Sequence, residues 1–336
     1  MKYIKEANHV RYAPTSINPS GTAPGESNLN AVAVRFDNFA FRVHGRQKRA
    51  TLSDIGRNEA AIVTARIWKG NMEELKKHNR QKRGQVSETE IKQLEGSSIE
   101  ELARLLNSSN PKSRTIGAVL VGNKKATEMI PELCKHLQTE KSLYSRIAVS
   151  EALGNMGEPA VKPLIQLLGK IGNNQEKELP KKYFEKRSYP LSRDLAARTL
   201  IKIGKPAIQY LIKIVENGDS FEIQQAIDAI GGIASKNHDV SPLPVLLEVL
   251  EKYSGNEVTT WKVIRALSAF KHIEVVEPLV KMLKTHTQPA IRWEAARSIG
   301  QVGISTPEVR MVLENAIQDQ NIEVGKAAKI SLDQLQ

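Results

Sequence analysis

Apolar residues recur at helical spacing through the last two-thirds of the chain. A Leu or Ile marks each recurrence, at Leu120, Leu153, Leu200, Ile230, Leu267, Ile299 and Leu332. Most successive markers follow at a period in the low thirties, and the interval from Leu153 to Leu200 is longer. Such a period is too long for a coiled coil, so the pattern predicts a stacked array of supersecondary units.

Each predicted unit contains two helices with different patterns. The first helix carries the apolar runs at 131–137, 163–168 and 278–283, and the second carries the runs at 146–154, 193–200 and 292–300. Ala at crowded positions lets neighbouring helices approach closely, and Leu and Ile fill the seams between them. We therefore expect an all-α fold, an α-solenoid of about seven two-helix repeats over 98–335.

These paired patterns resemble the HEAT repeats of short bacterial proteins, a repeat type also found in phycobilin lyases. The resemblance covers 98–335 and leaves 1–97 outside it. It implies an armadillo-like superhelix whose second helices line the concave wall. Solenoids of this kind serve mainly as binding surfaces, so the resemblance implies a scaffold and says little about a particular activity.

The N-terminal part has a different organisation. Pro and Gly interrupt any periodicity in 1–30, which predicts a flexible arm. Residues 31–97 form a basic block, in which alternating apolar residues on either side of Asp37 and Asn38 predict a short hairpin, followed by helices. We expect this small mixed extension to precede the repeats.

Charge is concentrated near the N-terminus. The chain has a net charge of +12; residues 1–96 hold 17 Lys and Arg against 10 Asp and Glu (+7), and 97–336 hold 32 against 27 (+5). Two basic clusters contain Arg42, Arg46, Lys48, Arg49, Lys76, Lys77, Arg80, Lys82 and Arg83. Clusters this dense can neutralise phosphates, although a solvated surface gives the same pattern.

The longer interval between Leu153 and Leu200 places an inserted segment at 169–192. This segment is basic and aromatic, with Lys181, Lys182, Tyr183, Phe184, Lys186, Arg187 and Tyr189 as its candidate contact residues. Insertions into repeats often form loops on the binding face. A loop folded back over a seam between repeats is the alternative.

Two tryptophans occupy the same repeat position. Trp261 and Trp293 lie one repeat period apart, and Arg265 and Arg297 come one helical turn after each. Residues four apart are neighbours on one helix face, so the spacing predicts two Trp–Arg stacks side by side. The position of these arginines is polar in five repeats (Glu151, Arg198, Asp228, Arg265 and Arg297), which predicts a solvent-facing binding stripe that includes Arg198. Tryptophans that cover seams between repeats are the alternative.

The sequence favours a non-enzymatic protein. It contains no phosphate-binding loop, nucleophile elbow or metal-binding His/Cys spacing, so we expect no cofactor and no metal. The chain lacks a signal peptide and an apolar stretch long enough to span a membrane, which predicts a cytoplasmic protein without a membrane partner. The leading function is a scaffold that binds a protein partner along the concave face of the solenoid. Nucleic-acid binding is the second alternative, and tetrapyrrole handling similar to that of phycobilin lyases is the third.

Overall fold

The computed structural model describes residues 72–171, 176–181, 189–253 and 255–335. Contacts divide the chain into two units, Met1–Asn71 and Met72–Gln336, and all the described residues belong to the second. The predicted arm, the hairpin and the first basic cluster (Arg42, Arg46, Lys48 and Arg49) lie outside the described residues. The domain boundaries at residues 30 and 97 therefore stay predictions.

Two helices precede the repeats. The first, α1, covers 72–82, and the second, α2, is Glu88–Lys92. Ser87 and Glu90 form a capping box at the start of α2, and Ser98 and Glu101 form one at the start of the next helix. Both boxes satisfy backbone N–H groups that have no partner within a helix, which is why these serines begin helices.

Seven helical hairpins follow within the described residues, as the periodicity predicts. They pair α3 (Ile99–Leu106) with α4 (Pro111–Lys124), α5 (Ile130–Thr139) with α6 (Leu143–Met156), α7 (Val161–Ile165) with α8 (Leu195–Ile203), α9 (Ile208–Asn217) with α10 (Ser220–Asn237), α11 (Leu243–Lys252) with α12 (Glu257–Leu267), α13 (Val276–Thr285) with α14 (Pro289–Val302), and α15 (Pro307–Ala316) with α16 (Ile322–Gln334). Every marker residue lies in the second helix of its pair.

The hairpins stack into two layers. The second helices contact one another in unbroken order from α4 through α16. Among the first helices, α5 to α11 contact in order and α13 contacts α15. Because each repeat packs mainly on its neighbours, the described residues between 72 and 335 form an α-solenoid. The core between the layers consists of Leu, Ile, Val and Ala, with markers such as Leu153 and Leu267 fully buried.

Arginines at the start of second helices tie consecutive repeats together. The Arg114 guanidinium donates to the carbonyls of Ser108 and Ser109 and to both oxygens of Glu140, at 2.6 and 3.0 Å. Arg292 repeats this arrangement with two loop carbonyls and Asp319, at 2.7 and 2.8 Å. Each arginine joins the turn of its own repeat to the loop that follows the next first helix.

Candidate functional site

A hydrogen bond joins the first residue of the inserted segment to the residue that precedes α8. Asp194 caps α8 by accepting the Ala197 amide at 2.8 Å, and its other oxygen accepts the Gly169 amide at 3.2 Å. Burial is the largest influence on this carboxyl and, despite these hydrogen bonds, raises the pKa of Asp194 to about 6. Gly169 has φ of 74°, a conformation that favours glycine at this turn.

A charge cluster lies where the inserted segment meets α10 and α12. Asp228 on α10 accepts from Lys262 at 2.5 Å and from Arg265 at 2.6 Å, both on α12. Glu176 of the inserted segment approaches the same two cations, at 3.2 Å from Lys262 and 3.3 Å from Arg265. We call these four residues the charge cluster. Burial alone would raise the pKa of Asp228, but the neighbouring Arg265 and Lys262 hold it below its ordinary value, so the carboxylate is charged.

The second contact of the inserted segment is aromatic. The Tyr189 hydroxyl packs onto Gly231 of α10, where a Cβ atom would collide with it and would also meet Ala266 of α12. The hydroxyl is buried and has no hydrogen-bond partner among the residues that the structure describes. Burial raises the pKa of Tyr189, so the phenol is neutral. The inserted segment therefore lies against α10 and α12 at both an ionic and an aromatic position.

The predicted Trp–Arg stacks are present on α12 and α14. The Arg265 guanidinium lies 4.4 Å from the centre of the Trp261 ring, and Arg297 lies 5.9 Å from that of Trp293. The two stacks are joined, because the Trp261 indole N–H donates to Glu294 at 2.9 Å while Glu294 also accepts from Arg297 at 2.7 Å. Cation–π stacking and these charge-assisted bonds fix the four side chains in one arrangement.

The prediction that this stripe faces solvent is wrong. Trp261 is 5% exposed, Trp293 9%, Arg265 6% and Arg297 8%. Charged side chains at this depth are tolerable only when they are paired and hydrogen-bonded. Asp228 of the neighbouring helix pairs with Arg265, and Glu294 of the same helix pairs with Arg297. At Asp228 and Arg265 the polar row signalled a buried ion pair between repeats, whereas Glu151 of the same row is exposed.

Comparison with known proteins agrees with this architecture. Residues 243–333, which span α11 to α16, match the family model for HEAT repeats. Residues 243–333 are therefore HEAT repeats. No curated protein matches the chain.

Similar solved structures include an engineered protein of the Northeast Structural Genomics Consortium, which is 19% identical with a TM-score of 0.35 over 70% of this chain and 96% of that one. A designed armadillo repeat protein is 17% identical with a TM-score of 0.34 over 71% of this chain and 100% of that one. Human deoxyhypusine hydroxylase in complex with glycerol is 17% identical with a TM-score of 0.31 over 79% of this chain and 98% of that one.

The remaining predicted site residues lie outside the Trp–Arg stacks. Arg198 is half-buried and donates to the Ser192 carbonyl at 2.8 and 3.1 Å. Lys181 is exposed and pairs with Glu178 at 3.7 Å. Lys182, Tyr183, Phe184, Lys186 and Arg187 lie outside the described residues.

In the second basic cluster, the exposed residues on or just after α1 are Lys76, Lys77, Lys82 and Arg83. Arg80 is half-buried. Lys76 pairs with Glu73 at 3.0 Å, and the Arg80 guanidinium donates to Gln85 at 3.0 Å. The end of this cluster is fixed to the repeats, because the Tyr144 amide of α6 donates to the Arg83 carbonyl.

Sequence reasoning missed the acidic and lysine members of the site, namely Glu176, Asp228 as an ion-pair partner, Lys262 and Glu294. A signal for two of them existed: Lys262 and Glu294 each follow a tryptophan directly and therefore share one position of consecutive repeats. Among the residues that the structure describes, no group of three or more His, Cys, Asp or Glu could hold a metal ion. In the same part of the chain, no helix is both long and apolar enough to cross a membrane.

Proposed function

We propose that this protein is a non-enzymatic scaffold that binds an extended segment of a protein partner along its second-helix face. This face is the surface of the second helices that carries Glu151, Arg198, Asp228, Arg265 and Arg297. One observation supports the proposal most strongly: the face already holds a non-helical stretch of polypeptide, through the contact of Glu176 with Lys262 and Arg265.

The spacing of the second helices suits an extended peptide. Packed helices lie about 8–10 Å apart, and an extended chain advances about 3.3 Å per residue. Every third residue of a bound peptide would therefore meet the same position of the next repeat. Near α6 and α8 the face is open to solvent, since Glu151 is exposed there and pairs with Lys202 of the neighbouring repeat.

A selection from random peptides displayed on phage tests this proposal. The Glu151→Ala/Lys202→Ala variant should weaken the selected peptides about tenfold, since it removes polar contacts at the face. Lys213→Ala/Glu216→Ala is the matched control, because it removes an exposed Lys and an exposed Glu from the first helix α9. Equal binding by both variants, or loss only in the control, would contradict binding along the second-helix face.

Nucleic-acid binding is the second candidate function, favoured by the exposed Lys77 and Lys82 on α1. Titration with single-stranded DNA at two salt concentrations tests it. Binding that weakens steeply with salt, and that Lys77→Ala/Lys82→Ala reduces, would support phosphate contacts. Tetrapyrrole handling rests on the repeat type alone, and no contact in the described residues favours it.

A further inference from the structure

The charge cluster needs a carboxylate from outside the second helices. Lys262 and Arg265 carry two positive charges, and Asp228 supplies one negative charge on the same pair of helices. Lys262 is 1% exposed and Arg265 6%, so the remaining positive charge has little access to water. A buried charge without a partner is strongly unfavourable. Glu176 supplies the missing negative charge from the inserted segment.

The fit of the inserted segment leaves hydrogen-bonding capacity unused. Within the described part of the chain, the buried Arg265 Nε–H has no hydrogen-bond partner, because Asp228 and Glu176 both approach the Nη2 atom. The buried Tyr189 hydroxyl also has none. A carboxylate that approaches an arginine side-on can accept from Nε and a terminal nitrogen together, which is the stronger, bidentate arrangement. A ligand with this geometry would satisfy the arginine better than Glu176 does.

We infer that the inserted segment is an internal ligand of the second-helix face, displaced by a partner peptide that brings its own carboxylate to Lys262 and Arg265 and its own flat ring to Gly231. This inference rests on the proposed function, because it names the chemistry of the partner: an acidic peptide segment that contains an aromatic residue. The cation pair selects the acid, and the absence of a side chain at Gly231 provides the space for the ring.

A fluorescent peptide with the sequence of residues 169–192 tests the inference without knowledge of the partner. The receptor is a variant that lacks residues 176–189, a deletion that brings the interval between Leu153 and Leu200 back to the period of the other repeats. The peptide should bind the deletion variant and bind the wild type at least about tenfold more weakly, because the wild-type face is already filled. Fluorescence anisotropy gives both affinities.

Two substitutions in the peptide distinguish a specific contact of the Glu176 carboxylate from a general effect of the peptide's net charge. Glu176→Gln in the peptide should weaken binding to the deletion variant about tenfold, since it removes the charge-assisted contact. Glu178→Gln is the matched control and should have no effect, because Glu178 is exposed and approaches only the exposed Lys181 among the described residues. If both changes weaken binding equally, or if the peptide does not bind a folded deletion variant, the inference is wrong.

Where circular dichroism shows that the deletion variant is not folded, the full-length Glu176→Gln/Tyr189→Ala variant replaces it as the receptor. Displacement has its own test: acidic peptides selected on the wild type should bind the receptor variant about tenfold more tightly, because no internal ligand competes. Equal affinities would overturn displacement. If the selection yields no peptide that binds the second-helix face, the result would instead count against the proposed function. Binding of the 169–192 peptide would still be measurable in that case.

Discussion

Buried charged residues determine how the second helices α12 and α14 contact each other. Glu294 joins two repeats, because it accepts from Trp261 of the preceding second helix and from Arg297 of its own. Its side chain is almost inaccessible to solvent, so both hydrogen bonds operate at low dielectric, where a lost partner is costly. The indole therefore stabilises the packing of α12 against α14, and the guanidinium holds Glu294 in the position that accepts from the indole.

Truncation of Trp261 should destabilise the protein strongly. We expect Trp261→Ala to lower the free energy of unfolding by ~3–5 kcal/mol, since it leaves a cavity and removes the hydrogen bond to one oxygen of Glu294. Trp261→Phe loses the indole donor and part of the buried volume but retains one ring, so it should cost less, about 1–3 kcal/mol. Urea unfolding measures both values. A Trp261→Ala cost below about 1 kcal/mol would indicate an exposed side chain.

Glu140 should make the stability of the array sensitive to acid. Burial would raise the pKa of this carboxyl, but hydrogen bonds from Arg114, Ser145 and the Ser142 amide lower it from 4.5 to about 2. A lowered pKa means that the charged form is preferred in the folded state. Its contribution to stability is therefore complete above pH 4.5 and is lost as the pH falls towards 2.

The variant Glu140→Gln isolates this effect. At pH 7 it should unfold at lower urea concentration than the wild type, with a loss of about 1–3 kcal/mol, and this difference should shrink as the pH falls from 4.5 towards 2. Glu128→Gln is the control, because Glu128 is exposed on the same repeat. A difference that stays constant down to the lowest pH would contradict the ionised Arg114–Glu140 pair.

At the scale of helices, close packing depends on small residues between second helices. Gly122 of α4 lies against Ala152 of α6, where an added Cβ atom would fall 2.7 Å from the Ala152 Cα. That separation is impossible without movement of the backbone, because no flexible side chain can give way. Gly122 therefore sets the distance between the first two repeats.

Gly122→Ala should force α4 and α6 apart and lower the free energy of unfolding by about 1–3 kcal/mol, the usual cost of overpacking. Gly96→Ala is the matched control, because Gly96 has open space around its Cα and should tolerate the methyl group. Thermal unfolding compares the two variants. Equal melting temperatures would show that α4 and α6 are not in close contact.

The helices were predictable from the sequence, whereas the burial of their polar face was not. The markers from Leu120 to Leu332 give the period directly, because each repeat packs on its neighbours in the same way and therefore has the same apolar pattern. Exposure depends on the neighbours of a side chain. Asp228 and Arg265 look like surface residues in the sequence, and only the three-dimensional stack shows that they pair across repeats and meet Glu176.

At the scale of the 72–335 array, the inserted segment divides the second-helix face. Around Glu151 the face is open, whereas at Asp228 and Arg265 it is covered by polypeptide that starts and ends within the third repeat. Because a solenoid is stabilised by contacts between neighbouring repeats, a local cover should affect the helices it touches and leave distant repeats unchanged.

Hydrogen–deuterium exchange of the wild type and of the variant lacking residues 176–189 measures this cover directly. The structure predicts faster exchange in α10 and α12 of the variant, since Glu176 and Tyr189 no longer hold them, and unchanged exchange in α4 and α6. Addition of the 169–192 peptide should restore slow exchange in α10 and α12. Unchanged exchange in α10 and α12 after the deletion, or faster exchange only in the first helices α9 and α11, would contradict a second-helix face that binds polypeptide.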